Sequence, residues 1–210
     1  MHCAIRMASN IHTVYMRNDF SDLVLLRSLG LNGMKKMPLM VKYIRWIPLH
    51  PRWIKVNEIS AVSGALGPSG YGGVFRTSRG FLKGCFFMFI GNRFTIEAKL
   101  WAIIKAIRYA INFGWNELWE ESDSTIAVKI LKEHSRNVSW KILVAWIDCL
   151  WLLGSLPFEI THVYLESNQV ADALAKRAIN DITSLWSIVA PDFCVNQVHG
   201  NYCGEVYYHL

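Results

Sequence analysis

The side chains able to do chemistry are sparse here, and their spacing excludes several chemistries at once. Five cysteines (Cys3, Cys85, Cys149, Cys194 and Cys203) are odd in number, lie far apart and form no CxxC pair. That pattern fits reduced thiols in an intracellular compartment, nucleus or cytoplasm, better than a disulfide frame or a zinc site. His162 falls inside a strand-like stretch and reads as a structural histidine. The carboxylates Asp123 and Asp172 have ordinary uses: Asp123 with Ser124 can cap a helix, and Asp172 can sit on a solvated helix face. The run from Gly64 to Gly73, which holds Gly67, Pro68, Gly70 and Gly72, supplies turn chemistry.

Charge is unevenly placed. The net +6 of the 210 residues sits in residues 1–52, where eight Lys/Arg face only Asp19 and Asp22. The remaining 14 Lys/Arg are matched by 14 Asp/Glu. A basic arm of this kind can lie along phosphates or serve as a solvated linker. A hydrophobic content of 52% gives material for one full core. No secretory signal is visible at the start, and the longest apolar stretch, Ile142 to Leu153, is short and contains Asp148. Neither secretion nor a membrane span is therefore expected.

Hydrophobic periodicity supplies the elements that must position these side chains. Strands are expected at Trp53–Ile59, Gly72–Thr77 and Phe81–Ile90, the last two joined at Ser78-Arg79-Gly80. Along the first strand Trp53, Lys55, Asn57 and Ile59 share one face and Glu58 points to the other. A helix is expected over Glu97–Phe113, with Ala98, Ala102, Ala106 and Ala110 at four-residue spacing and Gly114 as its stop. There follow a strand at Glu117–Ser122, helices at Ile126–Leu131 and Trp140–Leu152, a strand at Phe158–Leu165 and a last helix capped by Asn168. Trp101, Trp115, Trp119, Trp146 and Trp151 are expected in the core. Trp186 to Leu210 shows no clear period. The reading gives an α/β fold, a five-stranded mixed sheet in the order β-β-β-α-β-α-α-β-α flanked by helices. Its divisions are a basic arm at 1–52, a domain at 53–180 and a tail at 181–210.

Five phrases in this order are similar to those of type 1 ribonuclease H domains. They are Trp53-Ile54-Lys55-Val56-Asn57, the glycine run ending in Gly73-Val74-Phe75-Arg76, Leu118-Trp119-Glu120-Glu121-Ser122-Asp123-Ser124, Asn168-Gln169-Val170-Ala171-Asp172-Ala173-Leu174-Ala175, and the flanking Ala190-Pro191-Asp192-Phe193-Cys194. The chain looks closest to the plant ribonuclease-H-like domains of non-LTR retrotransposon reverse transcriptases, over about residues 53–180. The resemblance implies the ribonuclease H-like fold and cleavage of the RNA strand of an RNA/DNA hybrid, with two Mg²⁺ ions held by four carboxylates. Carried over residue by residue, the four positions are Ile59, Lys99, Asp123 and Asp172. Two carboxylates are retained, two are replaced, and one replacement is a cation. Gly64, Gly67, Gly70 and Asn168 occupy positions that the resemblance assigns to nucleic-acid contact. Ala65 stands where relatives have a minor-groove asparagine, and Glu120 where they have an aliphatic residue.

What the resemblance implies for function is a nucleic-acid-binding domain with impaired hydrolysis and Mg²⁺ held weakly or not at all. No small-molecule cofactor is expected. Two alternatives stay open. One is an active hybrid ribonuclease that uses Asp123, Asp172 and a relocated Glu97 or Glu58. The other is a non-enzymatic interaction scaffold, or a transposon remnant.

Overall fold

The computed structural model describes residues 50–198 and, outside that span, Tyr15–Met16, Val24, Ser28, Met34–Lys35, Lys42–Arg45 and Val206–His209. The chain forms two compact units, Met1–Val41 with Leu210, and Lys42–His209. In the first, Tyr15–Met16 pairs in parallel with Met34–Lys35. Most of the basic arm lies outside the described residues.

The second unit is built on one mixed sheet. Its strands are β1 (Ile54–Val62), β2 (Leu66–Thr77), β3 (Leu82–Phe94), β4 (Leu118–Ser122), β5 (Phe158–His162) and β6 (Ser184–Ser187). Their spatial order is β5-β4-β1-β2-β3-β6. The pairs β1–β4 and β4–β5 are parallel, and the rest antiparallel. The helices are α1 (Thr95–Asn112), α2 (Thr125–Lys132), α3 (Trp140–Leu153) and α4 (Gln169–Asp181). Separately, Lys42–Arg45 pairs antiparallel with Val206–His209.

Alternation along β1 divides the interior. Ile54 and Val56 join the large core under α1 and α3, while Ile59 packs on Ala171 and Ala175 of α4. In α1 the alanines 98, 102, 106 and 110 are all fully buried, so the small side chains let the helix lie close on the sheet. The expected stop holds, with Gly114 at φ +67° after the last turn. Across the sheet, α4 seats on β2 just as closely. A Cβ on Gly72 would stand 2.5 Å from Leu174 Cβ and 2.7 Å from the Ala175 nitrogen. That contact, rather than a turn, requires glycine there, and most of the expected glycine turn is paired strand.

The sheet has six strands, not five. The extra one, β6, runs antiparallel to β3, with Cys85 opposite Ser187 and Met88 opposite Ser184. It lies in the segment that sequence periodicity leaves as a tail. Its anchor is Trp186, whose ring stacks on Tyr109 at 4.4 Å and on Phe113 at 4.7 Å. Gly84 makes room, since a Cβ there would meet the indole at 2.6 Å. No glycine marks the preceding helix end: Ile182 itself adopts φ +49°. A four-residue strand behind an unmarked turn carries no period to detect.

A second correction concerns Trp151. Trp146 is fully buried and Trp115 packs at 4.7 Å on Phe75, as expected of core residues, but Trp151 is 79% exposed. Five residues along a helix is about 500°, so it faces away from Trp146. No helix among the described residues is long and apolar enough to cross a membrane.

Candidate functional site

The site lies where β1, β4 and α1 converge. Asp123 follows the last residue of β4, and Ser124 Oγ accepts from the Ala127 backbone nitrogen, capping α2. With Ser124 as the cap, the Asp123 carboxylate is left to other uses. Lys99, in the second turn of α1, reaches it from the facing helix with Nζ 2.8 and 2.9 Å from the two oxygens. Both side chains are largely shielded from water, at 15% and 19% exposure, so this pair is stronger than a solvated one.

Asp172 is held differently. Lys176, one turn along α4, donates to its Oδ2 at 2.6 Å. Asp123 and Asp172 thus each bond a lysine of their own. Ile59 is 3% exposed beneath Ala171 and Ala175, where its side chain seals β1 against α4. Burying such a chain stabilises by roughly 1.5–3 kcal/mol, which a carboxylate at that position would not contribute.

Glu58 turns to the opposite face from Ile59, as alternation requires, and lies near enough to Asp123 and Lys99 to feel both charges. It is fully buried, and neither oxygen makes a hydrogen bond of good geometry. Burial pushes its pKa up to about 8; Ser122 and, more weakly, Lys99 pull it down, while Asp123 raises it. Glu120 shares that interior, also fully buried and unpartnered, with its pKa raised well above the usual range by burial and then by Glu58. Burial thus favours the protonated form of both acids. Glu97 lies inside α1, 4% exposed, with Oε2 unbonded.

On the Ile59 face the recurring phrases reveal a common purpose. Lys55 Nζ lies 2.7 Å from Glu121 Oε1, and Asn57 Nδ2 donates to Glu121 Oε2 at 2.6 Å. Arg76 donates to Asn57 Oδ1 at 2.8 Å, and Lys55 also stands 4.6 Å over the Trp119 ring. Three strands thus contribute to one buried polar chain. Sequence reading finds the phrases but not this network, because its members join only through sheet register: Lys55 lies opposite Trp119 and Arg76, and Asn57 opposite Glu121.

The expected nucleic-acid positions separate by burial. Gly64 is exposed at φ +86°, at the tip of the β1–β2 hairpin. Gly67 and Gly70 are buried, and a Cβ on Gly70 would press on Ala178 of α4 at 2.7 Å. Asn168 is 1% exposed and does not cap α4 with its side chain; its amide donates instead to the Glu58 carbonyl at 2.8 Å. That bond ties the start of α4 to the middle of β1. His162 is exposed at the end of edge strand β5, edge-on to Tyr164.

The reverse transcriptase-like family matches residues 58–178, more than half of the chain. The chain belongs to that family. It is a ribonuclease H-like domain of retroelement origin. A protein of Arabidopsis thaliana with a provisional ribonuclease H name is 30% identical over 152 residues, which is 68% of this chain and 23% of that one. The chain therefore spans under a quarter of that relative's length. Among solved structures, ribonuclease H1 of Halobacterium salinarum aligns with TM-score 0.56 at 27% identity, over 61% of this chain and 98% of its own. The N-terminal ribonuclease H domain of a Mycobacterium tuberculosis protein aligns at TM-score 0.57 and 21% identity, over 61% and 94%. It shares the fold.

The donor set of this ribonuclease H-like domain does not fit a two-metal centre. Close dications need several hard oxygen ligands, and here one position is a buried isoleucine and another a lysine bonded to Asp123. Among the described residues no three Asp, Glu, His or Cys side chains gather closely enough to hold an ion. Adding 10 mM Mg²⁺ should leave the melting temperature unmoved. Ile59→Asp with Lys99→Glu should lower the baseline and create a Mg²⁺-dependent rise, by the linkage of binding to folding. Calorimetry at 0 and 10 mM Mg²⁺ checks both, and a clear rise for the natural chain would refute them.

Proposed function

We propose that this ribonuclease H-like domain binds nucleic acid, RNA/DNA hybrid first among candidates, without hydrolysing it. The observation that carries the reading is the Lys99–Asp123 pair, which puts a fixed ammonium where the fold's chemistry needs metal. Neutralising Asp123 from within keeps the site folded and removes its attraction for a dication. Glu58 and Glu97 do not restore the charge: Glu58 is held neutral at about pH 7 and below by its burial, and Glu97 is shielded within α1.

Support for binding is indirect. A ribonuclease H1 isolated from compost, of the same fold at 20% identity, has been solved in complex with RNA/DNA hybrid. The +6 excess of residues 1–52 adds a salt-dependent attraction for phosphates. An intracellular setting is consistent with Cys85, Cys149 and Cys194, all buried free thiols.

The test is a cleavage assay on a labelled hybrid, in Mg²⁺ and in Mn²⁺, beside the Asp123→Asn variant, with affinity measured by anisotropy at two salt concentrations. We expect equal, background-level cleavage for both proteins and binding that weakens as salt rises. RNA-strand cleavage that depends on Asp123 would overturn the loss of hydrolysis. Absence of any hybrid affinity at low salt would overturn the binding role.

A further inference from the structure

Helix α3 is apolar on two opposite faces, and the sheet covers only one of them. Ile142, Trp146, Cys149 and Leu153 point inward and are buried. On the reverse side Trp140, Val144, Ile147 and Trp151 are 80%, 74%, 41% and 79% exposed. Their spacing of four, three and four residues is the seam of a two-helix contact. A helix that is apolar all round belongs between two layers, and among the described residues no second layer covers this face.

We propose that this face is a two-fold interface with a second copy of the chain, the α3 helices packing antiparallel. The sequence of the stripe is its own mirror image in type and position. Trp140 and Trp151 are equidistant from the midpoint between Ala145 and Trp146, and so are Val144 and Ile147. An antiparallel two-fold axis through that midpoint sets Trp140 against Trp151 of the other copy at both ends. It sets Val144 against Ile147 twice between them. Self-complementarity of this kind is what an isologous contact requires.

Two further features fit the same arrangement. Lys141 and Asp148 flank the stripe on one side at nearly symmetric positions, so the two-fold brings each lysine beside the other copy's aspartate. Lys141 is exposed, and Asp148 keeps 61% of its side chain exposed despite a loose 3.7 Å contact with Arg108. Beside Trp151, a hollow of about 470 Å³ lined by Leu150, Gly154 and Ser155 leaves room for an incoming indole. Two indoles with Val144 and Ile147 offer roughly 500 Å² per copy, about 1,000 Å² in all, the lower bound of a specific interface.

Sedimentation velocity on the full chain from 1 to 100 µM reads the proposal directly. The expected result is a concentration-dependent species of twice the 24.1 kDa chain mass. Trp140→Glu and Trp151→Glu should each weaken the dimer at least about 30-fold, since each loses an indole anchor at both ends of the contact and puts a charge in its place. Their far-UV circular dichroism should be unchanged, because both side chains lie outside the core. A mixture of Trp140→Cys and Trp151→Cys chains should form a disulfide between unlike copies, and Trp140→Cys alone should not. A monomer at every concentration, or a dimer indifferent to both Glu variants, would overturn the proposal. So would a cross-link within Trp140→Cys alone, which only a parallel pairing allows.

Discussion

Replacing Lys55 by alanine should destabilise the domain by about 3–5 kcal/mol, the range for removing one partner of a buried ion pair. The Lys55 side chain is wholly buried and Glu121 nearly so. Truncation takes from the Glu121 carboxylate its bonded ammonium and leaves Asn57 as its remaining described donor. It also strips the cation from above Trp119. Lys55→Met combined with Glu121→Leu removes both charges and keeps the volume, so most of the loss should be recovered, less what Asn57 forfeits. Urea unfolding followed by tryptophan fluorescence measures each step. A Lys55→Ala midpoint close to that of the natural chain would mean the network contributes little.

The opposite sign is expected at Glu120. Glu120→Leu should raise stability by about 1–4 kcal/mol at pH 8, since it replaces an unpartnered buried acid with an apolar side chain in an apolar surround. The same residues set the pH dependence. Glu58 and Glu120 have folded pKa values above the ordinary 4.5, to about 8 for Glu58, so the folded chain holds protons that the unfolded chain releases. Their protonated state is no burden below pH 4.5. Between pH 4.5 and about 8 stability should fall, by up to about 1.4 kcal/mol per pH unit for each group. Melting temperatures at pH 5, 6, 7 and 8 should therefore decline steadily. In Glu120→Leu the decline should be shallower, because one acid is gone and its effect on Glu58 goes with it. A melting temperature that rises with pH across this window contradicts the assignment of neutral core carboxyls.

Some of this was determined by sequence alone. The alternation that puts Ile59 and Glu58 on opposite faces is a property of any strand. The alanine spacing of α1 and the stop at Gly114 are equally local, and so is Ser124 as a cap. The phrases around Asn57, Arg76, Asp123 and Asp172 sufficed to name the family. The same resemblance puts Ile59 and Lys99 at two of its four carboxylate positions, which stays an expectation carried by order and spacing.

Tertiary structure decided which of these residues meet. That Lys99 bonds Asp123 alone, while Asp172 turns to Lys176, depends on how α1 and α4 lie against the sheet. Asn168 reads as a surface cap until its amide is seen bonded to the β1 backbone, 110 residues away in sequence. Strand β6 exists because Trp186 finds Tyr109 and Phe113, a contact with no local signal. Glu58 and Glu120 favour their protonated forms because the core closed around them, and Trp151 is exposed because only one side of α3 met the sheet. Local pattern fixes the direction in which a side chain leaves the backbone. Burial, partner and charge state depend on what the rest of the chain brings to that side.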